Sequence, residues 1–180
     1  MRHIQRRQQS TAFGAAAALH LSIAGFAGAC ISPEEVLMAL DPVPDHHLAG
    51  LRRIEFSPEE ARCCPPSVVA AYLQRERCIC FYRLPAWPMF RHVLHHEIGH
   101  HVFALIISSK VKTQWTQRAV RRGAPASAYG ATSVGEDFAE CYARHLRGEP
   151  VDSASAAKEA FMRELVFSGA PWTLKEQQLL

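Results

Sequence analysis

The chain has 180 residues, 48% of them hydrophobic and 21% charged, which suits one globular domain with an ordinary buried core. There is no internal repeat and no low-complexity tract, so a disordered or solenoid protein is not indicated. The net charge of +3 resides in residues 1–29, which contain Arg2, Arg6 and Arg7 and no acid. The remainder is balanced and gives no reason to expect nucleic acid or any other anionic partner.

Residues 1–29 read as a secretory signal peptide. "MRHIQRRQQ" is basic, "STAFGAAAALHLSIAGFAGA" is mostly apolar, and Ala27-Gly28-Ala29 is an A-x-A ending, so cleavage is expected after Ala29. The stretch is rich in Ala and Gly and broken by His20, which makes it a poor spanning helix. The protein is therefore expected to be exported, periplasmic or secreted. Arg6-Arg7 could serve a twin-arginine signal. Cys30 follows the cut as in a bacterial lipoprotein, although Ala27 stands where that pattern usually has Leu. Acylation of Cys30 is the one route by which the sequence predicts membrane attachment.

Export bears on the cysteines. Cys63-Cys64 and Cys78-x-Cys80 could cross-link two neighbouring segments, with the connectivity open. A zinc knuckle from the same four residues competes, but neither doublet has C-x2-C spacing. Cys141 reads as a small buried hydrophobe.

Residues 30–46 form an N-terminal helix and linker, started by Ser32-Pro33-Glu34-Glu35 and stopped by Pro42 and Pro44. Within residues 47–180, strands are predicted at 51–56, 68–73 and 77–83. Apolar spacing at Val93, Leu94, Ile98, Val102, Leu105 and Ile106 predicts a long buried helix over 88–108. Further helices are predicted at 113–122, 134–147 and 152–167, with Ser133 as an N-cap and Gly148 and Pro150 as a stop. Strands first and helices afterwards give an α+β class, a small N-terminal sheet packed on a mainly helical core.

The buried helix contains "VLHHEIGHHVF" at 93–103. Within it, His96-Glu97-Ile98-Gly99-His100 is an H-E-x-x-H pattern, expected by chance only ~0.04 times in a chain of this composition. Four residues apart on a helix, His96 and His100 share a face and can reach one ion. Glu97 projects about 100° away, as suits a group that handles water rather than metal. Zinc accepts imidazole and carboxylate ligands and keeps a position open for water when three protein groups bind it. Unpaired imidazoles in an apolar helix are costly, so ligation explains the pattern better than surface decoration. His92, His95 and His101 read as supporting or surface residues rather than ligands.

A third ligand is sought in "YGATSVGEDFAECY", residues 129–142. Glu136 and Glu140 are again four apart on one helical face, and Asp137 points off it. A glutamate from this downstream helix would complete a His2Glu site. Ser133-x-x-Glu136 is also a capping box, in which Glu136 would fold back on the helix start. With Glu136 as ligand, Glu140 would hydrogen-bond a ligand histidine or Tyr129 and fix its orientation.

"HEIGH" (96–100) together with "AYGATSVGEDFAECYA" (128–143) resembles the anthrax lethal factor-like zinc metallopeptidases, which include the Pro-Pro endopeptidases. In that family Y-G-x-T runs into E-x-F-A-E, with the tyrosine seven residues before the ligand glutamate, as Tyr129 is before Glu136. The resemblance implies a gluzincin with a zincin-like core and one zinc ion held by His96, His100 and Glu136. It makes Glu97 the general base and Tyr129 a hydrogen-bond donor to the oxyanion, with Glu140 in support. It covers residues 88–147 well and 47–87 only in layout, and carries over no substrate preference.

The function so implied is hydrolysis of a peptide or protein substrate by an exported zinc metalloendopeptidase. The alternative is a catalytically silent zinc-containing binding module of the same fold, against which Glu97 and Tyr129 both speak. A periplasmic structural protein pinned by disulfides leaves the H-E-x-x-H and Y-x6-E spacings unexplained.

Overall fold

The computed structural model describes residues 21–120, 124–149 and 156–168. The basic start with Arg2, Arg6, Arg7 and His20 lies outside the described residues. So do the end of the helix predicted at 113–122, Pro150, and the first residues of the one predicted at 152–167.

Four strands form one sheet: β1 (Ser22–Ala24), β2 (Arg53–Phe56), β3 (Ala70–Leu73) and β4 (Cys78–Phe81). Their order is β1-β2-β4-β3. β1 and β2 run parallel, as do β2 and β4, whereas β3 is an antiparallel edge. The helices are α1 (Pro33–Leu40), α2 (Trp87–His101), α3 (Ser109–Gln114), α4 (Val134–Leu146) and α5 (Ala156–Phe161). α2 continues into a π-helical turn over Val102–Ile106, which accounts for the full length of the predicted 88–108 helix. Among the described residues the fold is mixed, a small sheet with five helices, and is compatible with α+β. Among the described residues no helix is long and apolar enough to cross a membrane.

β1 lies inside the segment read as a signal peptide. Ile23 pairs with Ile54, and the chain then turns at Gly25, whose φ is +78°. A Cβ at Gly25 would meet the Phe56 carbonyl oxygen at 2.1 Å, so only glycine fits this close approach. Phe26 is buried and sits against Phe56, Phe81 and Phe90, with ring centroids 6.1–6.3 Å away. Residues 21–29 are thus part of the folded domain, and cleavage after Ala29 would remove an edge strand and a core ring. A short apolar strand and the apolar stretch of a leader have the same periodicity, so the sequence does not separate them.

The expected disulfides are not formed: all six cysteines are free thiols. Cys78 and Cys80, two apart on β4, are buried with Sγ 3.4 Å from Glu55 Oε1 and 3.9 Å from Glu60 Oε2. Burial pushes these thiols up to about 11 and about 12, respectively. Cys63 faces solvent and Cys64 is half-buried, and neither is bonded to Cys78 or Cys80. Cys141 is fully buried in α4, as a small hydrophobe would be.

α2 lies between the sheet and α4. Its start packs on the sheet, with Phe90 stacked on Phe81 at 4.7 Å. Its middle approaches α4 at Gly99, which has no side chain to hold the helices apart.

Candidate metal centre

α2 and α4 bring together the side chains that the sequence singles out. His96 Nε2, His100 Nε2 and Glu136 Oε2 form a triangle with edges of 3.0, 3.1 and 3.2 Å. Ligands about 2.0–2.1 Å from a tetrahedral zinc lie about 3.3 Å apart, so the three atoms already have the spacing of one face of such a site. Two imidazole nitrogens in contact need either a shared proton or a cation between them. Two imidazoles and a carboxylate are a donor set that zinc accepts.

The helix start explains why Glu136 is available. Ser133 Oγ accepts the Glu136 N–H at 3.1 Å, so Ser133 caps α4 as expected. The Glu136 carboxylate makes no return bond to the cap and turns to the histidines. In α1 both halves of the capping box are present, with Glu35 Oε2 accepting the Ser32 N–H at 2.8 Å. The same motif thus has two outcomes, one local and one long-range.

Glu140 stands behind His96. Its Oε1 lies 3.1 Å from His96 Nδ1, within ion-pair reach but off the line of a full hydrogen bond, and 3.3 Å from His92 Nε2. Because Nδ1 is on the opposite side of the ring from Nε2, Glu140 orients His96 without entering the donor triangle. His92, His96 and Glu140 form a second close group of potential donors.

The charges are interdependent. Burial opposes protonation of His96, but the carboxylates of Glu136 and Glu140 outweigh it and raise the ring to about 9. His100 is lowered, by burial and then by the neighbouring His96. The hydrogen bond from His96 lowers Glu136. Glu140 is held well below the usual carboxylate range, its burial outweighed by His92 and His96.

Glu97 is buried and points toward the sheet edge, where its Oε2 accepts the backbone N–H of Tyr72 at 2.7 Å. Burial raises its carboxyl to about 7, against the pull of His96 and of the Tyr72 N–H. β3 supplies that donor because Tyr72 is on the edge strand, with its N–H turned away from β4. The Tyr72 ring is fixed as well: its hydroxyl is 2.9 Å from His101 Nδ1, and His101 Nε2 is 3.1 Å from the Ala49 carbonyl. No side-chain pattern announces this link, since the group that touches Glu97 is main chain.

Tyr129 is 58% exposed, with its ring centroid 5.7 Å from that of His96. Burial, followed by Glu136, Glu97 and Glu140, raises its phenol above the ordinary value, so the hydroxyl stays protonated. Asp137 points off the ligand face as expected, but has a use there. It pairs with the buried Lys158 of α5 at 2.7 Å and accepts the Ala126 N–H at 2.9 Å. Lys158 also donates to the Ala124 carbonyl at 2.7 Å, so the pair fixes the loop that leads to Tyr129. His95 is not a ligand: fully buried, it contacts the Ala39 carbonyl at 2.7 Å and ties α1 to α2.

No protein-family profile, curated protein or solved structure matches the chain. The functional reading therefore rests on its own residues.

Proposed function

We propose that the protein is an exported zinc metallopeptidase of the gluzincin kind, with a zincin-like core similar to that of the anthrax lethal factor-like enzymes. The observation that carries this reading is the convergence of His96 Nε2, His100 Nε2 and Glu136 Oε2 from two helices. Zinc bound there would lower the pKa of a water molecule and polarise a peptide carbonyl. Glu97, buried beside His96, would take up a proton from water and return it to the leaving nitrogen. Tyr129, kept neutral, donates a hydrogen bond to the oxygen on which negative charge develops. Glu140 fixes the His96 ring from behind, and β3, the edge strand of the sheet, would pair with an extended peptide.

The basic, acid-free start supports export. A cut after Ala29, and with it acylation of Cys30, conflicts with an intact β1, and truncated chains decide between them.

The reading is tested by metal analysis and peptide-library cleavage, with and without chelator, on wild type and Glu97→Gln. One zinc per chain is expected, with cleavage abolished by chelator and reduced about 10²–10⁴-fold in Glu97→Gln. If the wild type binds zinc but cleaves nothing that Glu97→Gln spares, the protein is the silent binding module. Full zinc occupancy in Glu136→Ala would overturn the ligand assignment.

A further inference from the structure

Beyond Tyr72 the edge strand runs into a cavity of about 640 Å³, lined by Tyr72, Leu73, Gln74, Arg75, Glu76, Arg77 and Leu105. It lies against the β3–β4 turn and the π-helical turn after α2, and none of the triangle residues lines it. Arg77 has a φ of +52°, the one positive value at a non-glycine residue among those described. Its charge reaches the Tyr72 phenol. Next to it, Arg52 donates its N–H to the Arg77 carbonyl at 2.8 Å.

Charge at this end of the sheet is uneven. Arg53 is neutralised by Glu55 at 2.6 Å. Arg52, Arg75 and Arg77 are exposed and make no ion pair among the described residues, and Glu76 is the one acid lining the cavity. An unpaired guanidinium is a fork-shaped donor matched to a carboxylate.

β3 ends at Leu73, and Arg75 and Arg77 stand in the turn over 74–77, so their charges lie where a peptide added alongside β3 would run past the end of the strand. Tyr72 marks the reacting end, since its N–H holds Glu97.

We propose that this cavity binds a carboxylate of the peptide, so that the preferred substrates carry negative charge just past the segment held along β3. The charge is an acidic side chain or the free C-terminal carboxylate of the peptide. This inference rests on the peptidase reading for its register along β3, but its test does not depend on turnover.

Zinc-loaded Glu97→Gln protein is titrated with fluorescent Ala/Gly-based peptides in which one Glu or Gln is stepped through successive positions. Each peptide is made with a C-terminal acid and with an amide. At one or two positions Glu is expected to bind about fivefold tighter than Gln, as an exposed ion pair contributes. If instead the acid form of every peptide outbinds its amide, the carboxylate recognised is the terminal one. Arg75→Gln/Arg77→Gln is expected to erase the preference while leaving Gln-peptide affinity and zinc content unchanged. Arg75→Glu/Arg77→Glu should prefer Lys in place of Glu. Equal binding of Glu and Gln at all positions with no acid–amide difference, a preference that survives both double variants, or no peptide binding would overturn the proposal. Loss of cleavage in the wild type with carboxylate preference intact would count against the peptidase reading alone.

Discussion

Gly99 on α2 faces Ala139 on α4 so closely that a Cβ on Gly99 would lie 2.8 Å from the Ala139 Cα and 3.2 Å from the Tyr142 Cβ. This approach sets the spacing between the helix that carries His96 and His100 and the one that carries Glu136. Gly99→Ala gains helix propensity of about 1 kcal/mol but must push main chain aside, at a cost of about 1–3 kcal/mol or more. Net destabilisation and weaker zinc binding are expected, measured by denaturant unfolding and chelator competition. Unchanged zinc affinity would show that the helix spacing does not govern the site.

Glu140 and Glu136 should separate by the size of their effects. Glu140 touches His96 only from behind, so Glu140→Gln is expected to lower zinc affinity about 10–100-fold without abolishing it. Glu136→Ala removes a donor and should leave no tight site. Equal losses in competition with a chromogenic chelator would put both carboxylates on the metal.

His47 predicts sensitivity to acid. Buried at 1% exposure, its Nδ1 is 2.8 Å from the Tyr142 hydroxyl and its Nε2 3.0 Å from the Val166 carbonyl, with the rings of His46 and His101 nearby. Burial, followed by His46, lowers it to about 4. The unfolded chain, with an ordinary imidazole near 6.5, then binds more protons than the folded one between these values. The contribution of His47 to stability is therefore full above pH 6.5, falls as the pH drops toward 4 by an amount on the order of 3 kcal/mol, and levels off below. Urea unfolding across that range should show the decline, and His47→Gln should reduce its slope.

Chains beginning at residue 21 and at residue 30 distinguish the two views of the leader. The longer chain keeps β1 and Phe26; the shorter loses both, and loss of a buried phenylalanine alone costs about 3–5 kcal/mol. Thermal melting should find the chain from residue 21 stable and the chain from residue 30 strongly destabilised. Equal melting temperatures would return Leu21–Ala29 to the leader.

The site was legible where the chemistry is written in helical spacing. His96 with His100, and Glu136 with Glu140, are four-residue intervals, and the structure brings both pairs to one place. The strands over 51–56, 68–73 and 77–83 were equally readable from their apolar residues and bounding turns. β1 was not, because Ser22–Ala24 has the composition of a leader, and only its pairing with β2 and the fit of Gly25 against Phe56 distinguish it. The Tyr72 link to Glu97 is main chain, and the Asp137–Lys158 pair spans 21 residues with no local pattern. His95 and His101 face carbonyls from distant segments, which spacing cannot show.

The Asp137–Lys158 pair also imposes an order on biosynthesis. The loop before Tyr129 is tethered through Ala124 and Ala126 to a lysine that leaves the ribosome well after the histidines and glutamates of the centre. His96, His100 and Glu136 are all synthesised before the residue that anchors this loop. The anchor of the Tyr129 loop is thus completed only once translation has passed Lys158.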